Sequence, residues 1–340
     1  MAHGQRVAIA GFGNVGQAVT RLIAEGHPST EGIVVVAVSD PRFGTVVSQD
    51  HLDPETLLRA ADGDGFAELP GYMADADVLD AIAAVDADTL IELTFTDLVT
   101  GEPATTHIRT ALETGLNVST TNKGPIALHL DDLERTAEAN DVILAFEGTV
   151  MSGSPTVLLT SESIRGAGFR SALGILNGTT NHIISEMGAG STFEQALADA
   201  QERGYAEADP TGDIEGIDAA GKLVILARIL TDEVIPLDRV GRTSLRALTS
   251  EDVVAAQSTG RRWKYLASLT SAGSRWEAKV EPRLIDQTHP LASVDGPTNA
   301  ITYETELLGA VTLVGPGAGR AETAYAVLSD LDQIAKGRRR

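Results

Sequence analysis

Residues 6–25, RVAIAGFGNVGQAVTRLIAE, constrain this chain more than any other stretch. They read as a strand over residues 6–10, a glycine turn, and a helix to about residue 25. The turn is Gly11-Phe12-Gly13-Asn14-Val15-Gly16, a G-x-G-x-x-G. Glycines there permit a tight turn and close backbone approach, and a dinucleotide pyrophosphate then rests on the helix N-terminus. The motif alone is weak, and an ordinary glycine turn is the bland alternative. Its position between strand and helix is the context that dinucleotide binding requires.

The rest of the first 150 residues agrees. GIVVVAVSD and ADTLIELTFT are apolar runs of the buried parallel-strand type, and LNVSTTNKGP and VILAFEGTV read as further strands. Helical patterns intervene near residues 54–61, in PATTHIRTALETG with Gly115 as its stop, and in LDDLERTAEAND. This alternation predicts an α/β, Rossmann-type doubly wound parallel sheet. After Ser154 the texture changes to longer strands and grouped helices, which predicts a second, α+β domain. The expected division is 1–150, completed by a segment at about 310–340, and 151–309.

Asp40 ends the second strand. An acid there accepts from a ribose 2′-hydroxyl and favours NAD. Arg42, two residues on, suits a 2′-phosphate instead, or is a solvated turn residue. The choice between NAD and NADP stays open. Asn122-Lys123-Gly124-Pro125 closes another parallel strand, and ligands of such sheets bind outside the carboxyl ends of the strands. Lys123 can donate there to a substrate oxygen or the nicotinamide region; a surface turn lysine is the alternative.

Composition sharpens the lysines. Only five of the 26 basic residues are lysines (123, 222, 264, 279, 336), and the formal net charge is -22. Each lysine is therefore less readily dismissed as generic surface. The acidic balance predicts neither nucleic acid nor an anionic membrane as partner, and suits a salt-rich cytosol. In GYAEADPTGDIEGIDAAGKL, residues 204–223, Asp218 and Lys222 stand four apart on one helix face. An exposed ion pair is the bland reading. Against it, the helix continues as LVILARIL, apolar nearly all round, so the pair sits at the edge of a core. Buried charge demands partners. The neighbouring acids can supply them or hold a substrate ammonium.

Absences narrow the chemistry. The chain has no cysteine, which removes disulfides and the thiolate of phosphorylating aldehyde dehydrogenases. The seven histidines are scattered, with no zinc-like spacing. No apolar run reaches the roughly 18 residues of a membrane span. MAHGQRVAIAGFG lacks the layout of a leader, so a cytoplasmic location is expected.

Together the motifs resemble homoserine dehydrogenase over nearly the whole chain. They are GFGNVG, ELTFTD with GEPA, NKGP, EGTVMSGSP, ILNGTTN, GYAEADPTGDIEGIDAAGKL and GPGAG followed by TA. The resemblance implies NAD(P)-dependent interconversion of L-homoserine and L-aspartate 4-semialdehyde, towards threonine, methionine and isoleucine. Lys222 matches the acid/base lysine, and Lys123 a second lysine near the reacting oxygen. Glu207 and Asp218 match the holders of the substrate's amino end, with Asp213 a further contact. Gly204 and Gly319 match backbone near cofactor or substrate, and Thr94 a residue near the nicotinamide. Glu147, Val150, Ser152 and Ser154 match a monovalent-cation loop (Na+ or K+). The second domain would also carry dimerisation, giving a homodimer. The chain shows no regulatory extension, so feedback through one is not expected. Departures are Ala208 where proline is usual, His182 where tyrosine is common, and Gly221 before the lysine.

Two other readings remain. Another Rossmann amino-acid or polyol dehydrogenase would share the scaffold. A non-enzymatic dinucleotide sensor would keep GFGNVG but has no use for Lys123, Glu207, Asp218 and Lys222 together.

Overall fold

The computed structural model describes residues 4–273 and 275–338; residues 1–3, part of the stretch inspected for a leader, and 274, 339 and 340 lie outside the described residues. The chain divides into two units, one formed by Met1–Gly153 with Gly319–Arg340, the other by Ser154–Ala318.

The first unit is built on seven strands: β1 (Gln5–Ala10), β2 (Ile33–Asp40), β3 (Gly44–Val47), β4 (Tyr72–Met73), β5 (Thr89–Glu92), β6 (Asn117–Thr120) and β7 (Leu144–Ala145). Their order is β4-β3-β2-β1-β5-β6-β7. β1, β2, β5, β6 and β7 run parallel, while β3 and β4 join antiparallel. The sheet therefore reverses its winding at β1, between β2 and β5, the switch point where such folds bind nucleotides. Val7, Ile9, Val35 and Val38 of the central strands pack with Val19 of the helix Asn14–Ala24 and with Val327, Leu328 and Leu331 of the helix Arg320–Ala335.

The helix after β6 starts earlier than its sequence pattern indicated. It spans Lys123–Ala139, so Lys123 opens a helix rather than sitting in a turn. Asn122 caps it, its Oδ1 accepting from Gly124 N at 3.2 Å. Pro125 is tolerated because first-turn N–H groups have no intrahelical partner to lose. The run VILAFEGTV forms only the two-residue β7 before turning into a short 3-10 segment, Glu147–Thr149.

The second unit carries β8 (Phe169–Ile175), β9 (Gly241–Arg242), β10 (Arg261–Ala272), β11 (Arg275–Asp286), β12 (Thr298–Thr305) and β13 (Gly309–Pro316), in the order β13-β12-β8-β10-β11-β9. All pairs are antiparallel except β11 with β9. One boundary differs from expectation. Residues 309–316 pair with β12 and belong to this sheet; the chain rejoins the first unit only at Gly319. Among the described residues, no helix is long and apolar enough to cross a membrane.

Candidate active site

In the first unit, β1 runs straight into the glycine loop. A Cβ on Gly16 would lie 2.4 Å from the Gly11 carbonyl oxygen, so only glycine lets the helix close against the turn. No side chain caps the helix at Gly13, which leaves its first N–H groups for an anion. Asp40, buried at the end of β2, accepts from Phe12 N at 2.7 Å and thereby fixes the loop. Arg42 folds back on Asp40, donating from Nε and Nη2 at 3.1 Å each. Burial by itself would raise the Asp40 pKa; the Arg42 guanidinium and the N–H groups of Arg42 and Phe12 outweigh it and hold it below the usual carboxylate value. The two residues that pointed to different cofactors thus form one pair, with the guanidinium largely exposed. These residues fit a dinucleotide: a close-packed glycine turn, an uncapped helix start and an acid at the end of β2 beside a cation.

At the carboxyl ends of β5 and β6, Thr94 donates from N and Oγ1 to Glu92, and Asn122 Nδ2 donates to Thr94 O at 3.3 Å and Phe95 O at 2.9 Å. Thr94 and Lys123 are thereby joined through Asn122.

In the second unit, Asp218 and Lys222 lie on the helix Ile217–Thr231, whose apolar run from Leu223 to Ala227 is buried. The Lys222 side chain is only 10% exposed, and its Nζ donates to Asp218 Oδ2 and to Leu176 O, both at 2.7 Å. Asn177 follows β8 and caps the helix Gly178–Gly188 through its Oδ1. Its Nδ2 donates to Asp213 Oδ1 at 2.6 Å and Asp218 Oδ2 at 3.0 Å. The pKa of Asp213 is raised, first by burial and then by the Asp218 charge, with Asn177 opposing both. A lysine, two acids and an amide therefore converge at one end of a buried helix.

A family model described as homoserine dehydrogenase matches residues 155–331, and one described as glutamate/leucine/phenylalanine/valine dehydrogenase matches residues 1–129. An NAD(+)-dependent homoserine dehydrogenase of Pseudomonas canavaninivorans is 43% identical over 336 residues, 97% of this chain and 96% of that protein. The chain belongs to the homoserine dehydrogenase family. A solved putative homoserine dehydrogenase from Archaeoglobus fulgidus superposes with TM-score 0.86 at 34% identity, over 97% of this chain and 99% of that one. A hyperthermophilic archaeal homoserine dehydrogenase in complex with NADPH superposes with TM-score 0.82 at 27% identity, over 98% of each chain.

The other positions singled out by likeness to homoserine dehydrogenases fall as follows. Glu207 is exposed, and its carbonyl accepts from Gln201 Nε2 at 3.1 Å. Gly204 turns with φ +74° two residues after the helix Phe193–Glu202. Gly319 has φ +139° at the start of the closing helix. Glu147, Val150 and Ser152 are buried in the first unit, where Glu147 N donates to Asp330 and the hydroxyls of Ser152 and Thr323 are 2.7 Å apart. Ser154, in the second unit, donates to Pro316 O at 3.0 Å. His182, one of the departures, lies 2.7 Å from Asp199, which Arg203 also holds, and its ring meets Tyr205 edge-on.

Sequence reasoning assigned no role to Asn177, Asn122 or Glu92. Asn177 had a legible signal, an Asn between a strand and a helix, which is a cap position, while Asn122 was masked by Gly124 and Pro125, which look like a turn. The third is a lone acid inside an apolar strand run.

Proposed function

We infer that the chain interconverts L-homoserine and L-aspartate 4-semialdehyde, and that Lys222 moves the proton. The observation that carries this is the placement of Lys222 Nζ between Leu176 O and Asp218 Oδ2. A neutral amine has two N–H bonds and one lone pair. Leu176 O and Asp218 Oδ2 stand ready for both N–H bonds. The lone pair is then the remaining site for the substrate's hydroxyl proton. NAD(P), when bound, would supply the acceptor for the hydride of the carbinol carbon. Asp218 and Asp213, held by Asn177, with Glu207, receive the substrate ammonium and orient the carbinol. In the reverse direction the Lys222 ammonium returns the proton to the carbonyl oxygen.

Gly11 to Gly16, Asp40, Arg42, Thr94, Lys123 and Gly319 are proposed to hold NAD(P), with Lys123 also donating to the reacting region. A 2′-hydroxyl must share Asp40 with Arg42, whereas a 2′-phosphate meets the exposed guanidinium directly. Steady-state rates with NAD+ and NADP+ for wild type and Arg42→Ala separate these. The monovalent-cation role of Glu147, Val150, Ser152 and Ser154 is tested by rates in Na+, K+ and tetramethylammonium salts at one ionic strength. A cytoplasmic homodimer feeding threonine, methionine and isoleucine synthesis completes the proposal, and sedimentation tests the dimer.

Lys222→Ala is expected to lower kcat at least about a hundredfold, the usual scale of a general acid–base group. NAD(P)H binding, read by nicotinamide fluorescence, should stay unchanged. Homoserine turnover near the wild-type rate in this variant sinks the assignment.

A further inference from the structure

Among the described residues two wholly buried carboxylates, Glu92 and Asp330, have no role in the chemistry above, and Glu92 is the one at the carboxyl edge of the parallel sheet. Glu92 ends β5 with no exposed surface. Its Oε1 accepts from Thr94 N at 3.0 Å and from the Thr94 hydroxyl. Its Oε2 lies 3.1 Å from Thr120 Oγ1. His107 Nδ1 stands 3.8 Å from Oε1 and has no hydrogen-bond partner among the described residues. An acid in such a place is costly to desolvate, and an apolar side chain would fill the volume without that cost. What the carboxylate holds is therefore the relevant question.

It holds the ends of two strands. Thr120 Oγ1 accepts from Asn122 N at 3.0 Å, and Asn122 Nδ2 reaches back to Thr94 O. Glu92, Thr94, Asn122 and Thr120 thus close a ring of hydrogen bonds across the carboxyl edge of β5 and β6. The same Asn122 caps the helix that opens at Lys123. Cutting the ring at Glu92 frees Thr94 and loosens the cap under Lys123 together. The neighbouring loop depends on the ring as well: Phe95, 70% exposed, is tied to it through its carbonyl.

We propose that Glu92, backed by His107, is a positioning residue that sets Thr94 and Lys123 for hydride transfer. This rests on the homoserine dehydrogenase reading. Glu92 touches neither substrate nor cofactor; it acts through the two residues it aligns. Misplacement by about 1 Å costs on the order of a hundredfold in rate.

The test compares wild type, Glu92→Met and Glu92→Gln, using homoserine deuterated at its carbinol carbon. For Glu92→Met, kcat is expected to fall about a hundredfold, with the primary isotope effect on kcat rising as hydride transfer becomes rate-limiting. KM for homoserine should stay within about threefold, since the carboxylate cluster is untouched, and NAD(P)H affinity should fall less than kcat, since the glycine loop is untouched while Thr94 and Lys123 shift. Glu92→Gln keeps an acceptor for Thr94, and an intermediate loss of about threefold to tenfold is expected. A kcat within twofold of wild type, or a fall without a larger isotope effect, overturns the proposal. If Glu92→Met yields no folded protein, Glu92→Gln decides by the same readouts. Wild type that fails to oxidise homoserine would instead refute the activity itself.

Discussion

Asp213 carries a charge that the folded state disfavours. Its carboxylate is desolvated and faces Asp218, and both effects raise its pKa above 3.8. A raised pKa means that the folded state disfavours the charge. The penalty is absent below the unfolded value and fully present above the folded one. Asp213→Asn keeps an oxygen for Asn177 and removes the charge. Its Tm is expected to exceed that of wild type at pH 7, the gap closing as pH falls towards 4, while homoserine oxidation weakens. An equal Tm at pH 7 contradicts this account. The same residues show what local sequence conveys. The Asp218–Lys222 pair was legible because helix geometry makes residues four apart neighbours. The cap position of Asn177 was legible but its part in this cluster was not, because its bonds to Asp213 and Asp218 span 36 and 41 residues, a separation that no local pattern encodes. Lys264 is similar. The lysine count marked it as unusual, but only the fold shows it buried, donating to Val294 O and Asp295.

Among the elements, the first strand–turn–helix was read almost to its ends, because glycine spacing and apolar runs are local signals. The start of the helix Lys123–Ala139 was missed because Gly124 and Pro125 look like a turn. The Asn122 cap and the Thr120–Asn122 bond override that local preference. β9, only Gly241–Arg242, carries no pattern and exists through pairing with β11. The glycine turn gives the prediction at this scale. A Cβ on Gly16 meets the Gly11 carbonyl, so Gly16→Ala must push the helix start away from the turn. Overpacking of this kind costs about 1–3 kcal/mol. If about half of that, about 1 kcal/mol, is expressed in the proposed cofactor loop, NAD(P)H affinity falls about fivefold. Fluorescence titration reads it, and an affinity within twofold of wild type contradicts the loop's role.

For the molecule as a whole, 48 acidic residues stand against 26 basic ones. At about 0.1 M salt the Debye length is about 10 Å, and at about 1 M it is about 3 Å. Repulsion across the acidic surface therefore weakens over that range. Tm measured by calorimetry is expected to climb by several degrees from the lower to the higher KCl concentration, and a flat Tm removes the salt-adapted reading. The path of the chain carries a different consequence. The first unit takes its last helix, Arg320–Ala335, from beyond the second. That helix brings Asp330, wholly buried, to Ser119 Oγ at 3.0 Å and to Glu147 N. On the ribosome, the segment made first must therefore wait for one made more than 160 residues later. Residues 154–318 emerge complete and can settle while the first unit still lacks the helix that packs on its core. Topology alone thus keeps the N-terminal unit from completing its core ahead of the second.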